Sequence, residues 1–235
     1  MAQGSSSKTD ESQIYDNIHR AIAERRLEPG VKLAEEALAE VFGVSRARIR
    51  RVLLLLAKEN VVKLEPNRGA FVRRPTVEEA KNVLAARRVI EIYLVREAAL
   101  NATKADIAEL RKIIEAETQA LENEDHDQTM RLSGEFHMAI ADAAGNPIMA
   151  EFLGSLISRC YLILATYQRR DSQNCPQADH GGIVDLIERG DPDAACAAQE
   201  EHFEHIAEEL ELRDTPAHKR DLRDVFGRGQ PALTD

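Results

Sequence analysis

Apolar positions along the chain fall into two regimes. Up to residue 75 they come in short clusters cut by turn signals, and from residue 76 onward they recur every three or four residues with few interruptions. SQIYDNIHRAIAERRLEPG spaces Ile14, Ile18 and Ile22 four apart and predicts a helix that stops at Pro29-Gly30. AEEALAEVFG predicts a short second helix closed by Gly43. SRARIRRVLLLLAKEN predicts a third, with Ser45 as N-cap and Val44 stapled onto Ile49. Its residues Ile49, Val52, Leu53 and Leu56 make one buried stripe. VVKLEPNRGAFVRR alternates weakly around Pro66-Asn67-Arg68-Gly69, which predicts a β-hairpin. Pro75 marks a module boundary. From Thr76 to about Arg213 the pattern is helical, with breaks near residues 103, 125, 145, 174 and 190, so about six helices are expected. Residues 1–10 and 214–235 are polar and read as a disordered tail and a loose C-terminal tail.

The expected fold is therefore mainly α. A winged helix-turn-helix of three helices and a small β-hairpin occupies residues 11–75. An antiparallel all-α bundle of about six helices follows over residues 76–213.

Composition narrows the setting. Apolar residues are 43% and charged residues 31%, the balance of an ordinary globular chain. No apolar run approaches the roughly 20 residues that span a bilayer, and MAQGSSSKTDESQ lacks the apolar core of a signal peptide. Cys160, Cys175 and Cys196 are odd in number and form no C-x-x-C, which suits a reducing, cytoplasmic setting without membrane partners.

Charge separates the two modules. The net charge is −10. Residues 1–75 carry 14 Lys+Arg against 10 Asp+Glu, whereas the remainder carries 17 against 31. A basic front and an acidic back point to different partners. On the third predicted helix Arg46, Arg50 and Arg51 lie off the buried stripe and face solvent. Guanidinium groups near the start of such a helix suit guanine edges in the major groove and the flanking phosphates. Ser45 and Arg48 complete the candidate DNA-contacting set on this helix. At the hairpin tip Arg68 and Gly69 suit a wing that approaches a phosphate or the minor groove. Double-stranded DNA is the expected partner.

The motifs L-x-P-G-x-x-L, E-x-x-L-A-E-x-F-G-V-S-R and P-N-R-G-A-F-V, with their spacings, resemble the DNA-binding domain of the GntR family of bacterial transcription regulators over about residues 14–74. The resemblance implies DNA contacts from Arg46, Arg50 and Gly69. Three departures stand out: Arg48 replaces a proline, Arg51 replaces a glutamate, and Glu36 sits where relatives often place a basic contact.

In the back module three histidines fall on buried stripes of three separate predicted helices. His137 lies with Phe136, Ile140 and Ala144, His180 with Ile183, Val184 and Ile187, and His202 with Ala195, Ala198, Ile206 and Leu210. A lone inward histidine is more often a hydrogen-bonded core residue than a ligand. Three in one bundle favour a metal or ligand site, since facing core positions are where bundles build them and imidazole suits Zn, Ni, Mn or Fe. Arg87 also interrupts an apolar stripe. Either it pairs with Glu91 one turn on, or it serves a pocket that clamps an anion. Arg159 is a further candidate for that pocket.

This region resembles the all-helical FCD effector domain of the FadR-type subfamily over about residues 78–212. The resemblance implies a divalent metal held by an aspartate and three histidines, here His137, His180 and His202, which helps to bind a small carboxylate effector near Arg87. The aspartate position is Ser133. On the same helix Glu135 and Asp142 point away from the site, about 200° and 140° from His137 at 100° per residue. Three histidines can still bind a divalent ion, though less tightly. Alternatively, the histidines hydrogen-bond an anionic ligand directly. The expectation is a homodimeric, ligand-controlled transcription regulator, a repressor being the commoner kind. A metal-dependent enzyme with an accessory DNA-binding head is the alternative.

Overall fold

The computed structural model describes residues 10–169 and 177–213. The expected tails at 1–10 and 214–235, together with Cys175, lie outside the described residues, except Asp10, which belongs to the first helix as its N-cap. Residues 10–74 and 75–213 form two separate compact units.

In the first unit α1 spans Glu11–Ala23 behind a capping box made by Asp10 and Gln13, and it buries Ile14, Ile18 and Ile22. The helix ends at Ala23, earlier than the expected stop at Pro29-Gly30. Arg25 has φ 50°, which breaks the helix, and the Leu27 N–H closes back on the Ala21 carbonyl at 2.8 Å. Helix α2 (Glu35–Phe42) and helix α3 (Arg46–Lys58) pack against each other. Ser45 caps α3 by accepting from the Arg48 N–H, and Ile49, Val52, Leu53 and Leu56 are buried as their spacing requires.

The hairpin forms from β2 (Val62–Glu65) and β3 (Gly69–Val72), antiparallel with Glu65 opposite Gly69. Gly69 holds φ 99°, a conformation that side chains disfavour, so the wing tip requires this glycine. The sequence reading missed a third strand. β1 (Lys32–Leu33) pairs with the outer edge of β3 and makes a sheet of order β1-β3-β2. Two residues are too few to show alternation.

The second unit holds α4 (Val77–Asn101), α5 (Lys104–Glu122), α6 (His126–Ala143), α7 (Pro147–Tyr167), α8 (Gln177–Arg189) and α9 (Pro192–Glu208). Thr76 with Glu79 and Thr103 with Asp106 make capping boxes for α4 and α5. Asn146 and Asp191 cap α7 and α9, each followed by proline at the first helical position. Helix α4 packs on α6, α7, α8 and α9, and α5 packs on α6 and α8. The end of α7 is tied to the end of α9, where the Glu211 N–H donates to the Tyr167 carbonyl at 2.8 Å.

The expectation of no membrane-length apolar segment needs correction. Helix α7 has 21 residues and contains a window of mean hydropathy 1.6, enough to cross a bilayer by length and composition. Its apolar run is interrupted only by small or weakly polar residues and by Glu151 and Arg159, so no continuous stretch is visible. Here it is a bundle helix, burying Leu153, Ile157, Cys160, Leu162 and Ile163.

Candidate functional site

His137, His180 and His202 project from α6, α8 and α9 into the middle of the bundle, at 2%, 0% and 0% exposure. Their ring centroids are 4.8–5.3 Å apart. One ring nitrogen from each lies within 4.8 Å of those of the other two. Phe136 stacks on His180 at 4.2 Å and forms one apolar wall. These positions follow from the 3.6-residue period, since each histidine sits among the buried residues of its own helix.

Each imidazole has a carboxylate behind its Nδ1, supplied by a different helix. Glu91 on α4 lies 2.8 Å from His137, Glu117 on α5 lies 2.8 Å from His180, and Asp179 on α8 lies 3.3 Å from His202. A carboxylate hydrogen-bonded to Nδ1, as at His180 and His202, fixes the tautomer and makes Nε2 the nitrogen offered to the centre. This donor set fits a divalent transition ion: three imidazoles facing one point, each with a carboxylate behind it.

From the sequence alone Glu91 reads only as a partner for Arg87, and Glu135 and Asp142, on the same helix as Ser133, point away from the site. Glu135 is indeed turned outward, paired with Arg131. The carboxylates come instead from neighbouring helices. Glu117 could have been noticed in the same way as Arg87, because it stands seven residues from Leu110 on the buried side of α5.

Arg87 makes the intrahelical pair with Glu91: its Nε donates to Glu91, its Nη1 lies 3.5 Å from Cys160 Sγ, and the side chain lines a cavity. Burial would raise the Glu91 carboxyl, but chiefly the Arg87 guanidinium, with His137 beside it, holds it at about 2. Hydrogen bonds from His202 and His205 hold Asp179 below the ordinary carboxylate range against partial burial. The cavity is also lined by Ser133, Gly134, Cys160 and Tyr161. A Cβ on Gly134 would collide with the Tyr161 hydroxyl and lie 2.8 Å from its Cζ, so the tyrosine covers this spot only because residue 134 is glycine. Burial pushes the Tyr161 hydroxyl up. Arg159 does not line this cavity. It is half-buried, with Nη2 3.5 Å from Ser155 Oγ and its Nε buried without a hydrogen-bond partner.

In the first unit Arg46, Arg50 and Arg51 are exposed along α3. Arg50 forms two bonds to Glu35, Arg51 pairs with Glu11, and Arg48 Nε is 3.9 Å from the same Glu11. Arg68 on the wing pairs with Glu65 and rests 5.3 Å above the Phe71 ring. Glu36 is exposed. Such surface pairs are worth about 0–1 kcal/mol, weak enough for phosphates to displace them.

Residues 11–72 match the family described as bacterial regulatory proteins, gntR family, and residues 82–205 match the FCD domain. The chain is 24% identical over 201 residues to the HTH-type transcriptional repressor RspR of Escherichia coli K12, covering 84% of this chain and 87% of that one. It is 28% identical over 216 residues to the HTH-type transcriptional repressor NanR of Citrobacter rodentium, covering 83% and 82%. Among solved structures, E. coli McbR/YncC superposes with a TM-score of 0.74 at 22% identity, covering 84% of this chain and 95% of that one.

Proposed function

Because the chain belongs to the gntR family of bacterial regulatory proteins and carries an FCD domain behind its DNA-binding head, we propose that it is a repressor whose operator affinity is set by a small carboxylate bound in the helical bundle beside a metal. The observation that carries this reading is the convergence of His137, His180 and His202 from three helices, each backed by a carboxylate. A divalent ion held there would offer an open coordination position to a carboxylate oxygen. Arg87 is the cation for the rest of the ligand. Its contact with the Cys160 thiol is weak, and a carboxylate would replace it with a charge-assisted bond. Ser133, at 8% exposure, is a hydroxyl donor on the same cavity wall. Arg159, off this cavity, is the least supported of the candidate effector contacts.

On the DNA side, Arg46 and Arg50 read base edges, and Arg48, Arg51, Ser45, Arg68 and Gly69 hold the phosphates. An effector that binds one arrangement of the bundle more tightly shifts operator affinity by the same coupling free energy. We read the protein as a cytoplasmic homodimer on a pseudo-palindromic operator. Val89, Tyr93 and Leu100 on α4 and Ile148 and Phe152 on α7 are large, apolar and exposed, and a second copy would cover them. Tyr93 reaches the cap of α7 at Asn146, 3.4 Å away, which brings the two stripes together.

Curated relatives of the chain are named as regulators, and no observation favours the metal-dependent enzyme. The test is a pair of measurements on the full chain: metal content after purification without chelator, and salt-dependent binding to DNA upstream of its own gene, with and without candidate carboxylates. One metal per chain and effector-sensitive DNA binding support the reading. A protein that takes up no divalent metal and ignores every carboxylate contradicts it.

A further inference from the structure

The three carboxylates behind the histidines are not equivalent. Glu91 is engaged by the Arg87 guanidinium and by Gln199 Nε2 at 3.0 Å. Asp179 is shared between His202 and His205, whose Nδ1 lies 2.8 Å away. Glu117 is different. It is 0% exposed, its single hydrogen-bond partner among the described residues is His180, and its Oε1 is buried with no partner. A carboxylate in the core with only an imidazole against it is costly unless positive charge stands on the far side of that ring. The far side of the His180 ring is the centre of the three-histidine cluster.

We infer that Glu117 is the charge-supplying carboxylate of this metal site, placed behind His180 instead of on the ion, and that it offsets the carboxylate missing at Ser133. The inference rests on the metal reading given above. Glu117 accepts a hydrogen bond from the Nδ1–H of His180, fixes the tautomer and raises the basicity of Nε2, so negative charge reaches the ion through the ring. Ser133 can contribute a hydroxyl but no charge. Glu117 is thus a positioning residue that does not itself touch the ion, consistent with a ligand cluster made of the histidines alone.

The experiment uses the full chain with Zn(II), titrated against a competing chelator, and Co(II) for the visible spectrum. Glu117→Gln keeps the shape and removes the charge. It is expected to weaken Zn(II) binding by about 10- to 100-fold while the Co(II) spectrum keeps its form, since the imidazoles that touch the ion are unchanged. Adding Ser133→Asp to Glu117→Gln restores roughly tenfold or more by returning a carboxylate to the ion itself. Unchanged Zn(II) affinity in Glu117→Gln overturns the inference. If Glu117→Gln does not fold, Glu117→Asp is read instead: a several-fold loss supports the inference and parental affinity overturns it. His180→Ala separates the two levels. Parental metal affinity in His180→Ala defeats the three-histidine site itself. Loss in His180→Ala with none in the Glu117 variants defeats only the role of Glu117.

Discussion

Arg50 on α3 and Glu35 at the start of α2 meet fork to fork, Nε to Oε1 at 2.8 Å and Nη2 to Oε2 at 2.7 Å. The carboxylate covers one edge of the guanidinium and leaves Nη1 outside the pair. Glu35 is held below the usual carboxylate range chiefly by its hydrogen bond from Arg50. The geometry predicts that Glu35→Gln raises affinity for non-specific DNA by removing a negative charge from the phosphate-facing surface. It also predicts a loss of discrimination of about 1 kcal/mol, because Arg50 is no longer held in one orientation. Paired titrations of operator and scrambled DNA at several salt concentrations measure both effects. Unchanged discrimination would show that the clamp is incidental.

Arg46→Ala and Arg50→Ala are each expected to cost about 1–3 kcal/mol of operator discrimination. Both side chains are exposed, so the melting temperature should hardly move. Arg51→Ala should instead weaken specific and non-specific DNA alike and reduce the salt slope by about one. Calorimetric melting and salt-dependent binding separate these outcomes.

Gly134→Ala is expected to disturb the cavity wall. The new methyl must displace the Tyr161 ring, a cost of about 1–3 kcal/mol in a packed site. DNA binding without effector should survive while the response to effector changes. Combining it with Tyr161→Phe, which removes the colliding hydroxyl, should recover part of the stability. No recovery would mean that the conflict lies elsewhere.

His19 sits half-buried beneath Tyr15, the rings 5.7 Å apart and nearly parallel. Burial lowers its pKa below the ordinary 6.5, against the opposing charges of Glu59 and Asp16. The folded head therefore holds this proton less readily than the unfolded chain. The stability from keeping His19 neutral is present above pH 6.5 and is lost as pH falls through the lowered folded value. Urea midpoints of the full chain measured between pH 7.5 and 5 should fall, and His19→Gln should flatten that part of the profile.

Much of this architecture was legible in the sequence because helix period and cap chemistry are local. Ser45, Thr76 and Thr103 announce their helices, and the stripes that bury His137, His180 and His202 can be counted along each segment. What was missed is non-local. Strand β1 exists only because β3 offers it an edge. Glu117 and Asp179 matter only because α5 and α8 bring them behind imidazoles on α8 and α9. Nothing on the helix of His137 points to them. The place of Arg159 off the cavity was likewise undetermined, since rotation of α7 is set by packing.

The proposed function turns on a three-histidine metal site in the bundle core. Its test is elemental analysis of the chain purified without chelator, beside His180→Ala. About one divalent metal per chain is expected in the parent, none in His180→Ala, and operator binding retained in both. A metal-free parent that takes up neither Zn(II) nor Co(II), or a His180→Ala protein with its full complement of metal, would contradict it.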